Sequence, residues 1–409
     1  MIDHPESFSA RLAAFEDSFS ANNPTVINRD QLMSPPKDQL LIALQDVLPL
    51  RLNLLTQRIE LHGHPIHGDF LNTLHLHLAE EFRLNVSREN ASAGAVIVAQ
   101  RNAYHPVRDY LYSTTSSLAV DEWNNLAGHC FGLENPVATT HLQRQLIGLV
   151  ARAMQPGCKL QTCLVLHSDR QGIGKSSFWE LLGGQWFSDS LGDLQNLKDD
   201  LLTLHSAWIH EWGEIDRVIG KRESEAMKRF LSASQDDVRK PYARSVERLQ
   251  RSCGIVGTTN RRDFIKDFTG NRRFPIISIN EVRFDWVEAN RDRIWSSAFN
   301  AYSSGSRWHY NGDEIDLINE TARSYAAADP LLEHLESVLE EHQHADEICV
   351  AQALVWMGRG DETRDAMLCR SVARCLQQLG WAKTDTRRRY QLSNGAQTDK
   401  TSGWLRPGH

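Results

Sequence analysis

The stretch that decides the fold is Cys163-Leu164-Val165-Leu166-His167-Ser168-Asp169-Arg170-Gln171-Gly172-Ile173-Gly174-Lys175-Ser176-Ser177-Phe178-Trp179-Glu180-Leu181-Leu182. An apolar run leads into a glycine loop, and an apolar, aromatic helical pattern follows. That is strand, loop, helix, the context a phosphate-binding loop requires. Gly172 and Gly174 let backbone N–H groups face an anion without a Cβ in the way. The helix that follows turns its positive N-terminal end to the same place. Residues Gln171, Gly172, Ile173, Gly174, Lys175, Ser176 and Ser177 are therefore expected to bind ATP. Lys175 would reach the β- and γ-phosphates, and the Ser176 hydroxyl would hold Mg²⁺. Asp169 stands where the strict pattern G-x-x-x-x-G-K-[ST] has its first glycine, and its charge requires it to point away from phosphate.

Three later segments supply what an ATPase needs around such a loop. Ala207-Trp208-Ile209-His210-Glu211-Trp212-Gly213-Glu214-Ile215-Asp216 delivers Glu211 at the end of an apolar strand, with Glu214 in the next turn. Glu211 is assigned to the metal or its water and Glu214 to a supporting or water-activating role, and the two roles are interchangeable on sequence grounds. Cys253-Gly254-Ile255-Val256-Gly257-Thr258-Thr259-Asn260 ends a second apolar strand in an amide. The Asn260 side chain both donates and accepts, which suits it to hold water and sense a γ-phosphate. Asp267-Phe268-Thr269-Gly270-Asn271-Arg272-Arg273-Phe274 sets two guanidinium groups on a turn. Arg272 or Arg273 is expected to act as an arginine finger on a neighbouring subunit's ATP. Arg272 is preferred because it begins an Arg-x-Phe step.

Composition bounds the rest. The 409 residues suffice for two or three domains, and 41% hydrophobic with 24% charged is ordinary for a globular chain. No apolar run is long enough to span a membrane. Seven scattered cysteines without a C-x-x-C pair suit free thiols in a reducing cytoplasm, and the polar start Met1-Ile2-Asp3-His4-Pro5-Glu6 does not read as a signal peptide. A net charge of −7 argues against a general nucleic-acid coat, so contact would fall to local basic patches such as Lys228-Arg229 and Arg387-Arg388-Arg389. His62, His64, His67, His75 and His77 crowd one region, but their spacing and the lack of a nearby cysteine do not favour zinc.

Periodicity divides the chain into a polar segment (1–36), a small α+β module (37–130), an α/β domain with a largely parallel sheet (131–325) and a C-terminal domain (331–409). Within these, a helix is expected around Phe8 to Phe19 and another from Asp38 to Leu48. Leu52 to Leu61 reads as one strand ending in a turn at His62-Gly63-His64-Pro65. Further helices are expected over Leu71–Phe82, Asn90–Asn102 and His141–Met154. Ala326 to Pro330 reads as a linker. Beyond it come helices at Leu331–Glu341, Ala351–Met357 and Asp365–Leu379, then short strands at Gly380–Lys383 and Arg388–Leu392. Helices followed by a basic hairpin suggest a winged helix-turn-helix, in which the arginines would meet phosphate. Cys369, Cys375, Trp356, Trp381 and Trp404 are expected in its core.

Taken together, the motifs resemble the superfamily 3 helicases within the AAA+ ATPases, and in particular the virulence-associated protein E family of prophages and phage satellites. The carrying residues are Gln171–Ser176, Trp208–Glu214, Gly257–Asn260 and Thr269–Phe274, with His105-Pro106-Val107-Arg108-Asp109-Tyr110-Leu111 ahead of them. The resemblance implies a replicative DNA helicase or translocase of a mobile element, at work in the cytoplasm of a bacterial host. It implies a ring, usually a hexamer, with ATP between subunits, moving on single-stranded or forked DNA. It also implies a channel hairpin in which Arg239, Lys240 and Arg244 track the backbone and Tyr242 stacks on a base. No primase domain is evident, so priming would come from another protein. A second reading of the same features is an origin-binding or regulatory DNA-binding protein that uses ATP only to assemble. A third is a small-molecule kinase, which the Asn260 and Arg272 motifs disfavour.

Overall fold

The structure is a computed structural model. It describes residues 40–42, 44–45, 48–66, 68–192, 194, 196–221, 224–239, 246–262, 264, 271–323, 325 and 330–407. They form two compact units. One contains the described residues up to Asn260 and then Arg272–Ile318; the other contains the remainder from Arg261 to Asn271 and Asn319 onward.

The first unit opens with a small module. Residues 40–42 and 44–45 are helical, and β1 (Leu50–Asn53), β2 (Arg58–Leu61) and β3 (His64–Pro65) form an antiparallel sheet. Helices Gly68–Phe82 and Arg88–Arg101 cover it, burying Leu44, Leu50, Leu74, Leu78, Ala95 and Val98. The expected helix from Leu71 to Phe82 is thus present. The single strand expected from Leu52 to Leu61 is instead a hairpin. The Asn53 side chain accepts the backbone N–H of Leu55 at 2.9 Å and of Thr56 at 3.2 Å, and Gln57 adopts a left-handed φ of 56°. An Asn that bonds the backbone two and three residues on folds the chain back even within an apolar run. The turn after β2 is confined to His62 and Gly63, since His64 and Pro65 pair in β3. Among the described residues no group of three or more His, Cys, Asp or Glu side chains is arranged to hold a metal.

The larger part of this unit is built on a five-stranded sheet. Its strands are β4 (Leu164–His167), β5 (Phe187–Ser188), β6 (Ile209–Trp212), β9 (Gly254–Thr259) and β10 (Ile276–Ser278). They lie in the order β10-β4-β9-β6-β5, and every neighbouring pair is parallel. All residues of β4, β6 and β9 are buried, the pattern of parallel strands covered on both faces. Helices Pro136–Met154 and Lys175–Gly183 pack on the sheet, and helix Phe284–Ser303 packs on both of them. Asn135 caps helix Pro136–Met154 by accepting from Val137 and Ala138, with Pro136 in the first turn. Trp208 and Trp295 meet in the core with ring centroids 4.2 Å apart. Each indole N–H is satisfied by a carbonyl, Trp208 by Leu149 and Trp295 by Leu182, both at 2.9 Å.

Between β6 and β9 lies an antiparallel ribbon of β7 (Gln235–Val238) and β8 (Glu247–Gln250). Its foot is clamped by a buried ion pair. Arg251 holds both oxygens of buried Asp236 at 2.7 Å, and His205 Nε2 lies 3.1 Å from the same carboxylate. Burial would raise the Asp236 carboxyl, but the Arg251 and His205 contacts outweigh it and bring it to about 2.

The second unit runs helix Pro330–Glu341, β11 (Glu347–Ile348), helix Val350–Trp356, helix Ala366–Gln378, β12 (Ala382–Arg388) and β13 (Thr401–Leu405). The sheet order is β11-β13-β12, antiparallel throughout. Cys375, Trp381 and Trp404 are buried in its core, while Cys369 and Trp356 pack against it half-buried. The strand expected at Arg388–Leu392 lies elsewhere: β12 continues to Arg388 and its partner is Thr401–Leu405. The intervening loop is closed by Tyr390 and Thr398, the Thr398 N–H donating to the Tyr390 carbonyl and the Tyr390 N–H to the Thr398 hydroxyl, and by Gly395 with a φ of 84°. The helix expected around Phe8–Phe19 and the linker expected at 326–329 lie outside the described residues. Among those described, no helix is long and apolar enough to cross a membrane.

Candidate functional site

The glycine loop joins β4 to helix Lys175–Gly183 at the carboxyl end of the sheet, where open α/β sheets place their ligands. Gly172 and Gly174 have φ of 73° and 90°, values that disfavour any side chain. A Cβ on Gly174 would also sit 2.3 Å from the ring of Phe284, whereas one on Gly172 would meet only open space. Phe284 therefore presses on the back of the loop and leaves its front clear. Asp169 is exposed and lies 3.6 Å from buried His167, away from the cleft, as its charge requires.

A cleft of about 350 Å³ lies in front of the loop, lined by Gly172–Ser177, Gly213, Glu214, Thr258, Thr259 and Asn260. Gln171 is exposed at the loop's start and outside that lining. The loop follows β4, Asn260 follows β9, and Glu211 sits on β6, three adjacent parallel strands. Lys175 Nζ donates to Asn260 Oδ1 at 2.5 Å. Burial lowers the Lys175 ammonium below its ordinary value, opposed by the charge of Glu211. Ser176 Oγ donates to Glu211 Oε1 at 2.7 Å, and Thr258 Oγ1 to the same oxygen at 2.5 Å.

Glu211 is 1% exposed, and its second oxygen, Oε2, is buried without a hydrogen-bond partner. Burial pushes its carboxyl up, while the Thr258 and Ser176 hydroxyls pull the other way. An unsatisfied buried oxygen beside a serine hydroxyl is a hard, anionic donor set that fits a magnesium ion. Glu214 differs. It is exposed at the rim with a left-handed φ of 52° and pairs with Arg217 at 2.7 Å. The two carboxylates that the sequence left interchangeable thus occupy distinct places, one buried against Ser176 and one facing solvent at the cleft.

The two arginines lie outside the cleft, at the other end of the sheet. They form a short turn, Asn271–Arg273, ahead of β10, and the Arg273 carbonyl accepts the Cys163 N–H before β4 begins. The length of β4 separates them from the glycine loop, about 13 Å at 3.3 Å per residue. Arg273 turns its guanidinium to Ser232 Oγ at 3.2 Å, whereas Arg272 is exposed. Of the DNA-tracking candidates, Arg239 is exposed immediately after β7; Lys240, Tyr242 and Arg244 lie outside the described residues.

Sequence reading missed Thr258, Gly213 and Phe284 as parts of this arrangement. Thr258 was legible as the residue two before Asn260 on the same strand. Phe284 had no local signal, since its contact spans more than a hundred residues.

The fold has solved counterparts. The A-form apo structure of the NrS-1 C-terminal region is similar with a TM-score of 0.52 at 10% identity, covering 89% of this chain and 98% of that one. A second apo structure of the NrS-1 C-terminal region gives a TM-score of 0.50 at 11% identity, covering 91% and 100%. A comparison with curated proteins gives no match. The family model of the virulence-associated protein E-like domain matches residues 114–327, the span that holds the sheet, the glycine loop and every residue of the cleft. More than half of the chain lies in that match, and the chain belongs to the virulence-associated protein E-like family.

Proposed function

We propose that this protein is a P-loop ATPase of the AAA+, superfamily 3 type that couples ATP hydrolysis to movement on single-stranded DNA during replication of a phage, prophage or phage satellite. The observation that carries this reading is the convergence of Lys175, Ser176, Glu211 and Asn260 on one cleft, with a buried Glu211 oxygen left unpartnered. Backbone N–H groups of Gly172–Ser177 cradle the phosphates, and Lys175 gives its remaining N–H donors to the β- and γ-phosphate oxygens. Ser176 and Glu211 would hold Mg²⁺, which would neutralise charge on those oxygens. Glu214 at the rim orients or activates water, and Asn260 reads the γ-phosphate.

Arg272 stands too far from its own chain's Lys175 to serve it, so its partner is the cleft of a neighbouring protomer. This favours a ring, hexameric by family resemblance, with ATP at subunit boundaries. Coupling follows from connectivity. Asn260 follows β9, and three residues separate β9 from the β7–β8 ribbon, whose foot Arg251 and Asp236 clamp. A shift of Asn260 on loss of the γ-phosphate therefore pulls on the ribbon carrying Arg239, and with it Lys240, Tyr242 and Arg244 on the DNA strand. The proposed site of action is the cytoplasm of a bacterial host.

The experiment is ATP hydrolysis by the full chain with and without single-stranded DNA, paired with displacement of a strand from a fork. Stimulated hydrolysis with displacement supports the motor. Hydrolysis without either response would leave an assembly ATPase and defeat the motor reading.

A further inference from the structure

We infer that the second unit carries a separate site for duplex DNA, with helix Ala366–Gln378 as its reading element and β12 with the residue after it as a phosphate-contacting arm. The inference goes beyond the motor reading, which concerns the first unit and a single strand.

The order of helix, strand, two helices and a two-stranded wing is that of a winged helix-turn-helix. Helix Ala366–Gln378 buries Val372, Cys375 and Leu376. Its exposed residues Met367, Arg370, Arg374 and Gln377 are spaced three, four and three apart, which sets them in one stripe. Arginine matches guanine O6 and N7, glutamine matches adenine N6 and N7, and an apolar tip suits the thymine methyl. Met367, at the start of the helix, is 76% exposed. At 13 residues the helix is about 20 Å long, enough to cross a major groove about 12 Å wide.

The charge agrees. From Arg364 to Arg389 there are seven Lys or Arg against two Asp, in a chain whose net charge is −7. β12 is an edge strand, and Lys383, Arg387 and Arg389 are exposed on it or just after it. Arg388 and Tyr390 both bond the carboxylate of Glu347, which fixes the arm's orientation. Alternation then sends Arg387 and Arg389 to the opposite side from Arg388. A single strand is the less suitable occupant, because its readers use exposed aromatic platforms and Trp381 and Trp404 are buried here.

The test uses the full chain, with a fluorescein-labelled duplex and the matching single strand followed by anisotropy across a KCl series. Two double variants are compared, Arg370→Ala with Arg374→Ala, and Arg387→Ala with Arg389→Ala. Each is expected to lose at least about tenfold in duplex affinity, the second also reducing the salt slope by about two. Single-strand binding and ATP hydrolysis should stay unchanged, so a failed motor and a failed duplex site are told apart on the same samples. The charge-keeping pair Arg370→Lys with Arg374→Lys should keep the salt slope and lose selectivity among duplexes. Unaltered duplex affinity in both alanine variants, or equal loss on single strand and duplex, would overturn the inference.

Discussion

Lys175 and Asn260, 85 residues apart in sequence, share a hydrogen bond of 2.5 Å across the mouth of the cleft. The bond joins the ammonium expected on a γ-phosphate to the amide expected to sense it. Lys175 uses one of its three N–H donors on Asn260 Oδ1 and keeps two for phosphate oxygens, while the Asn260 Nδ2 donors stay clear of this bond.

Replacing either member separates binding from turnover. Lys175→Ala should abolish hydrolysis and weaken ATP binding without lowering the melting temperature. Asn260→Ala should keep KM for ATP within a few-fold while kcat falls about 10²–10³-fold, the usual cost of losing one oriented polar group. Steady-state hydrolysis at several ATP concentrations checks both. Near-normal turnover in Asn260→Ala would remove the sensor assignment.

Glu211 gives a pH signature. Burial raises its carboxyl, so it takes up a proton at a higher pH than an ordinary carboxylate, and protonation removes a metal ligand. Mg²⁺ affinity, measured by calorimetry in the presence of a non-hydrolysable ATP analogue, should weaken as pH falls toward 5. Glu211→Gln should bind metal weakly and show no such dependence.

Arg272 should act between chains. Arg272→Ala should bind ATP and fail to hydrolyse it, with a loss on the order of 10³-fold or more. Mixed with Lys175→Ala protein, it should recover part of the activity, because one boundary then pairs an intact loop with an intact arginine. Absence of recovery across mixing ratios would place the arginine's role elsewhere. Arg273→Ala, by contrast, should chiefly loosen the contact with Ser232.

Three buried histidines should make the protein acid-sensitive. His105, His141 and His210 are each lowered to about 4, with burial as the leading cause. Their folded pKa lies below the unfolded value of about 6.5, so the unfolded chain binds more protons between these limits. Stability is complete above pH 6.5 and declines as pH falls toward 4, by about 1–3 kcal/mol per histidine. Urea titrations at pH 7.5 and pH 5 should show a lower midpoint at the acid pH. His210→Phe should lessen the difference.

The parallel sheet and the cleft residues were legible because their signals are local. Buried parallel strands read as apolar runs, and the residue at each strand's end is the one that faces ligand. The N-terminal hairpin was not legible, because the turn depends on where the Asn53 amide points rather than on hydropathy. The partner of β12 was missed for a related reason. Thr401–Leu405 is short and half polar, and a long loop closed by Tyr390 and Thr398 separates the two strands.

The amino-acid order alone determined the sheet class, the left-handed glycine loop at Gly172 and Gly174, and the set of polar groups at strand ends. Hydrophobic periodicity and backbone stereochemistry act over a few residues, so they can be read without coordinates. Only the tertiary structure decided that Glu211, not Glu214, is the carboxylate buried against Ser176 and Thr258. It alone also set Arg272 at the far end of the sheet from Lys175. Both outcomes follow from strand order and register, which bring together side chains whose separation along the chain carries no information about their distance in space.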